Sequence, residues 1–373
     1  MSKKLKAGLI GAGFMARVHT RAIRDSGHEV YGIASSSFDS AKNGAANLHI
    51  ENSFATWQEL VSSKEIDVVH ICTPNELHAE IIAAATAQNK SIVCEKPIST
   101  SFEEALEIKS AVTAAESAFA IPFVYRFYPV VREMRSRIKQ GEAGAFHLMH
   151  GSYLQDWLAE PQSNNWRVDS VAGGASRAFA DIGMHWCDLM EFISGDRITC
   201  LIAHTSKAYG SRGGSKVDTE DIANIIFETE LGATGTLTVS QVSHGRKNRL
   251  WLELDGSQAS FSFDQEQPDS MWVGGQNSNH IVMRGLETLK YPDATRLSHL
   301  PSGHPQGYQD AFNAFMSDAY SGFQGFTVEG VPSLIDGIRS AALVDAVLES
   351  AKEQKWVEVR SVEGLPRVQR LAS

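Results

Sequence analysis

Two groups of residues in this sequence have types and spacings that could carry chemistry. The first is Gly11-Ala12-Gly13-Phe14-Met15-Ala16, a Gly-x-Gly-x-x-Ala turn. Gly11 permits a tight turn, Gly13 lets backbone approach a pyrophosphate, and the small Ala16 lets the following helix pack on the preceding strand. The second is the pair Asp181 and His185, four residues apart at the start of a helix expected over 182–193. Residues four apart share a helix face. An imidazole, with its ordinary pKa near 6.5, suits the base that takes the hydroxyl proton of a secondary alcohol while the hydride leaves carbon. An aspartate at a helix start is also an ordinary N-cap, and the histidine an ordinary packed side chain, so the spacing alone leaves both readings open. Asp181, His185 and Cys187 have the side-chain types of a metal site, yet His185 and Cys187 are two apart and would face different sides of a helix. No metal is expected.

The elements that must position these residues are legible around them. Residues 5–10 (LKAGLI) predict a short buried strand, 17–26 a helix and Glu29–Ala34 a second strand, so the glycines sit in a strand-turn-helix setting. Ser35, Ser36 and Ser37 follow the second strand, where an NAD site usually places an acidic residue for the ribose 2′-hydroxyl. Serine hydroxyls can donate to a 2′-phosphate without repelling it, which favours NADP over NAD, with Lys42 as a helper. The same serines could simply solvate a loop in an enzyme that accepts either cofactor. Residues 66–71 (IDVVHI) read as a parallel strand covered on both faces, halted at Cys72-Thr73-Pro74-Asn75, where Pro74 restricts itself and Thr73. A helix over 76–88 and a strand over Ser91–Cys94 follow, the strand ending in Glu95-Lys96-Pro97. This alternation predicts a doubly wound parallel sheet.

Taken together and in order, GLIGAGFMARVH, CTPNELHAE, VCEKPIS and DIGMHWCDL resemble the glucose–fructose oxidoreductase and inositol dehydrogenase family, Gfo/Idh/MocA, and 332–359 resembles that family's closing helix and strand. The resemblance implies an α/β Rossmann domain over 1–122. It implies an α+β domain over 123–373, with a large, mostly antiparallel sheet that binds substrate and supports oligomerisation, the active site lying between the two. The closing helix would pack back near the first domain. The resemblance further implies that Gly11, Gly13, Phe14, Met15, Ser35, Ser36, Thr73, Pro74, Asn75, His78, Glu95 and Lys96 hold NAD or NADP. Lys96, Asp181 and His185 match the family's catalytic set. A Lys96 ammonium would stabilise the developing alkoxide, or pass a proton if burial lowered its pKa, and its division of labour with His185 stays open. The sequence departs from the family pattern at the serine run and at the bulky groups of Met184-His185-Trp186-Cys187. The implied activity is hydride transfer between nicotinamide and a secondary alcohol of a sugar, sugar derivative or cyclitol, in a homo-dimer or homo-tetramer. The family also reaches lyases or glycosidases that oxidise transiently on a retained dinucleotide, and non-catalytic dinucleotide sensors. A sensor would have no physical need for the acid–base set.

Beyond a helix over 130–139 and a turn at 141–144, apolar and polar residues alternate in 222–228, 234–242 and 250–254, as in antiparallel strands with one solvated face. Between the first strands and Asp181 lies a loop with Trp166, Arg167 and Asp169. Aromatic faces stack on sugar C–H surfaces while charged groups address hydroxyls, so these are candidate substrate contacts. An ordinary packed loop would use the same residues. Arg126, from the aromatic segment 123–129, and His304, from the polar loop 303–308, are further candidates, Arg126 being equally suited to a structural ion pair.

Bulk properties bound these readings. A chain of 373 residues suits two domains, and 43% hydrophobic with 21% charged residues is a globular composition. The net charge of −10, with only isolated basic pairs, excludes a nucleic-acid footprint. Four cysteines without a Cys-x-x-Cys pair read as buried free thiols. The glycine-broken stretch after residues 1–6 is unlike a signal-peptide core, and no window approaches the roughly 20 apolar residues of a membrane span. A soluble, cytoplasmic protein that contacts no membrane is expected.

Overall fold

The computed structural model describes residues 3–365 and 368. It divides into two compact units, one comprising residues up to Val124 with Tyr308–Ile338, the other Tyr125–Gly307 with residues from Arg339 onward. These units differ from a single cut at residue 122, because 308–338 belong with the first. The physical reason lies in the helix Tyr308–Phe323, which buries Phe312, Phe315, Met316, Ala319 and Tyr320 and packs along α1 (Phe14–Asp25).

The first unit holds a six-stranded parallel sheet. Its strands are β1 (Lys6–Ile10), β2 (Glu29–Ala34), β3 (Asn52–Ser53), β4 (Val68–Ile71), β5 (Ser91–Cys94) and β6 (Phe119–Ala120), in the order β3-β2-β1-β4-β5-β6. This is the usual Rossmann order. Register decides what the sheet presents at its carboxyl edge. Ile10 pairs with both Ala34 and Ile71, and Ile71 pairs with Cys94, so Gly11, Ser35, Cys72 and Glu95 all leave the sheet at one level.

The second unit is built on nine strands. In chain order these are β7 (Phe146–Leu154), β8 (Ile198–Ser206), β11 (Ile222–Thr229), β12 (Thr234–Ser240), β13 (Arg249–Gly256), β14 (Ser260–Asp264), β15 (Ser270–Gly274), β16 (Asn279–Met283) and β17 (Val357–Glu358), while β9 (Ser211–Arg212) and β10 (Ser215–Lys216) form a separate hairpin. The spatial order is β16-β15-β14-β13-β7-β12-β11-β8-β17, antiparallel except for the pair β7 and β12. Alternation sorts the two faces: β11 buries Ala223, Ile225 and Phe227 and exposes Asn224, Ile226 and Glu228. The helix Met184–Ser194 lies on the covered face, where Trp186 Nε1 donates to Trp251 O of β13 at 2.9 Å.

All four cysteines are free; Cys94 and Cys187 are buried as expected, whereas Cys72 and Cys200 are half-buried. Among the described residues no helix is long and apolar enough to cross a membrane.

Candidate active site

At the carboxyl edge of the parallel sheet, Gly11 adopts φ +109°, and a Cβ there would lie 2.4 Å from Cys72 O. Only glycine fits that turn. Gly13 is the N-cap of α1, with no side chain capping the helix and no acidic residue in its first turn, and nothing lies within 4 Å of where its Cβ would be. The first-turn N–H groups and positive dipole end of α1 thus carry no side-chain cap, the state in which a helix start can hold an anion. Beside it, Thr73 Oγ1 is buried without a hydrogen-bond partner among the described residues. The cradle, the uncapped helix and this orphaned hydroxyl all fit a dinucleotide. Phe14 is 65% exposed and Met15 half-buried at the mouth of the turn.

The serine run is partly committed elsewhere. Ser35 Oγ lies 2.9 Å from Ser40 Oγ, and Ser37 Oγ caps α2 (Phe38–Leu48) by accepting from Ser40 N at 3.2 Å. Lys42 Nζ sits 4.1 Å above the Phe38 ring and 3.6 Å from Asp39. Ser36 is exposed.

After β4, Pro74 and the buried Asn75 lead into a 3-10 turn, Asn75–Leu77, before the helix His78–Ala87. His78 is buried between two loops, its Nδ1 2.8 Å from Pro97 O and its Nε2 3.1 Å from Thr73 O. Burial pushes its pKa down, and a neutral imidazole donates to one carbonyl only. His78 thus braces the loops after β4 and β5, a role its place among the cofactor residues did not anticipate.

Glu95 heads a buried chain. Its Oε1 lies 3.0 Å from His19 Nε2, His19 Nδ1 lies 2.8 Å from His70 Nδ1, and His70 Nε2 lies 2.8 Å from Tyr320 OH. With both imidazoles neutral and Glu95 ionised, one assignment satisfies every atom: Tyr320 donates to His70, His70 to His19, and His19 to Glu95. Burial and then the neighbouring His19 hold His70 well below its ordinary pKa. Burial alone would raise the Glu95 carboxyl, but His19 and Lys96 outweigh it and lower its pKa. Lys96, half-buried, follows at the strand end and joins Pro97 through a cis peptide.

In the second unit, Asp181 lies in a widened π turn, Phe179–Gly183, that runs into the helix Met184–Ser194 carrying His185. A plain helix beginning at 182 is therefore corrected: the turn that holds Asp181 is a π-bulge, a local feature frequent at functional sites. Gly183 makes it possible, since a Cβ there would lie 2.3 Å from the Phe179 ring. Asp181 Oδ2 accepts from Gln241 Nε2 at 2.8 Å, and Oδ1 lies 3.4 Å from Arg167 Nε. Gln241 in turn accepts from Arg177 Nη1 at 3.2 Å, and the fully buried Arg177 and Arg212 share Asp221.

His185, only 8% exposed, meets the Tyr125 ring edge-on at 5.2 Å and the Tyr153 ring at 6.4 Å. The two phenols are 2.5 Å apart, Tyr153 donates to Asn248 Oδ1 at 2.8 Å, and Asn248 Nδ2 donates to Tyr125 at 3.1 Å. Burial raises the Tyr125 pKa, so this triangle is neutral. Sequence reasoning missed Gln241, Tyr153 and Asn248 altogether, and saw Tyr125 only as part of an aromatic segment.

The remaining candidates are scattered. Arg167 stacks 4.5 Å over the Trp166 ring and reaches Asp181. Trp166 and Asp169 line a cleft of about 530 Å³ with Asn164, Asn165, Lys216 and Asp218, although Asp169 also caps the short helix Ser170–Gly173. Arg126 is buried and paired with Asp188 through Nε at 2.8 Å and Nη2, under Phe192. That is the structural ion pair. His304 is exposed, and its carbonyl accepts from Arg284 Nη2 at 2.5 Å.

Comparison with known proteins fits this geometry. Residues 5–123 match the model of the oxidoreductase family with an NAD-binding Rossmann fold, and 131–262 match the GFO/IDH/MocA C-terminal domain. The chain is 30% identical to levoglucosan dehydrogenase of Pseudarthrobacter phenanthrenivorans, over 96% of this chain and 99% of that one. It is 27% identical to 1,5-anhydro-D-fructose reductase of Ensifer adhaerens, over 95% and 98%. A solved structure of levoglucosan dehydrogenase in complex with NADH and levoglucosan superposes with a TM-score of 0.90 at 30% identity, covering 96% of this chain and all of that one (100%).

Proposed function

Because the chain belongs to the Gfo/Idh/MocA family of NAD-binding Rossmann oxidoreductases, we propose that it oxidises a secondary alcohol of a small cyclic sugar, with anhydrosugars of the levoglucosan type and cyclitols as first candidates. It is a dehydrogenase of the sugar and polyol type. The observation that carries the substrate reading is the retained set Lys96, Asp181 and His185, each held by its local contacts at a strand end or on successive helical turns.

The dinucleotide supplies the hydride acceptor. Gly11, Gly13, Phe14 and Met15 would cradle it, with Ser35 and Ser36 at the ribose end and Thr73, Pro74, Asn75, Glu95 and Lys96 along the other strand ends. His185 takes the hydroxyl proton, and the Lys96 ammonium stabilises the alkoxide that develops. Asp181, fixed by Gln241 and Arg167, accepts a hydrogen bond from a neighbouring hydroxyl. Trp166 and Asp169 are the outer sugar contacts. The test is to incubate the protein with levoglucosan, other anhydrosugars and inositols plus dinucleotide. A product lighter by two hydrogens is expected, and unchanged substrate in every case would reject the reading.

For the dinucleotide itself, the carboxylate-free run 35–37 favours NADP, whereas the levoglucosan dehydrogenase structure holds NADH. NADP binding at least as tightly as NAD is the expectation, and a titration with clear NAD preference would refute it. Four free thiols suit a reducing cytoplasm. The open face of the nine-stranded sheet, with Ile226 51% exposed, suits pairing with a second copy.

A further inference from the structure

The open face of the sheet also carries a cluster that the dehydrogenase reading does not use. β7 and β13 are antiparallel neighbours, with Glu253 opposite His150 and Asp255 opposite Leu148. The period of two along a strand puts Glu253 and Asp255 on one face, beside His150. His150 Nε2 lies 3.9 Å from Glu253 Oε1 and 3.5 Å from Asp255 Oδ2, and one donor atom from each residue falls within 4.8 Å of the other two. Both separations from the imidazole exceed a good hydrogen bond, so the three atoms surround a centre more than they bond one another.

One carboxylate is oriented from behind. Ser260 Oγ on β14 donates to Asp255 Oδ1 at 2.7 Å. The His150 ring is packed edge-on against Trp251 at 5.2 Å. Such support is what metal ligands receive from their surroundings. Within the single chain the side chains of His150, Glu253 and Asp255 are 28%, 27% and 29% exposed, so none of the three is sealed from an incoming ion.

We propose that His150, Glu253 and Asp255 bind one divalent transition-metal ion of the zinc class on the open sheet face. One imidazole and two carboxylates suit zinc, cobalt or manganese better than magnesium or calcium, which prefer all-oxygen sites. The ion ties β7 to β13 and takes no part in hydride transfer, so this site stands or falls separately from the proposed activity. It also departs from the expectation that the chain holds no metal.

The test is calorimetric titration of the full-length, chelator-treated protein with ZnCl2, beside His150→Ala, Glu253→Gln and Asp255→Asn. With 13 histidines in the chain, zinc binding alone assigns nothing, and the difference between proteins does. The expected result is one zinc per wild-type chain, weakened about tenfold or more in each variant. The two amide variants preserve shape, and circular dichroism shows whether all three are folded. Equal zinc binding in wild type and the folded variants would overturn the proposal, as would no wild-type binding up to about 1 mM ZnCl2.

Discussion

His185 packs edge-on to Tyr125, which is hydrogen-bonded to Tyr153 and Asn248. Replacing His185 by Ala is expected to lower kcat by roughly 10²–10⁴, the usual worth of a general base, while the dinucleotide dissociation constant stays near its wild-type value. Unchanged turnover would remove His185 from the mechanism. Gln241 acts one step away. Gln241→Leu strips Asp181 of its 2.8 Å donor and should lower kcat/KM for the sugar about tenfold or more, with dinucleotide affinity unchanged. Steady-state kinetics with a binding titration separates the two effects. Lys96, Asp181 and His185, the proposed catalytic set, were singled out because each sits in a short local pattern. Tyr125, Tyr153 and Asn248 were not, since they are joined across separations of 28, 95 and 123 residues that only the sheet brings together.

Among the elements, the strand ends of the parallel sheet do most of the positioning, and they were the easiest to read: β2 and β5 fall where short strand-like runs meet Ser35 and Glu95. The π turn was invisible, because the same residues satisfy the pattern of an ordinary helix start. So was the return of Tyr308–Phe323 to the first unit, where Tyr320 closes the chain through His70 and His19 to Glu95. Tyr320→Phe leaves His70 Nε2 buried without its donor and should cost about 1–3 kcal/mol, read as a lower denaturation midpoint. His70 itself sets a pH dependence. Its folded pKa lies well below the ordinary 6.5, so below that value the unfolded chain binds the extra proton and stability falls as the pH drops. Wild type should lose more stability between about pH 7.5 and 5.5 than His70→Gln does in denaturant titrations. Equal losses would contradict this reading of the chain.

For the whole molecule, motif order pointed to the fold class, while composition and a net charge of −10 gave the expectation that nucleic acid is no partner. What composition could not show is the open sheet face, because its residues differ from the covered ones only by alternation along each strand. If that face pairs two copies, the protein sediments as a dimer or tetramer, and Ile226→Glu, which places a charge where an apolar side chain is exposed, shifts it towards monomer. A monomeric wild type would reject this. The central claim is dehydrogenase chemistry on a small polyol, and it is tested most directly by absorbance at the reduced-nicotinamide band, with NAD and NADP supplied separately to anhydrosugars, sugars and inositols. The expected result is reduced cofactor growing with at least one of them and failing to grow with the His185→Ala protein. Silence across the whole panel, from protein that binds dinucleotide, would contradict it.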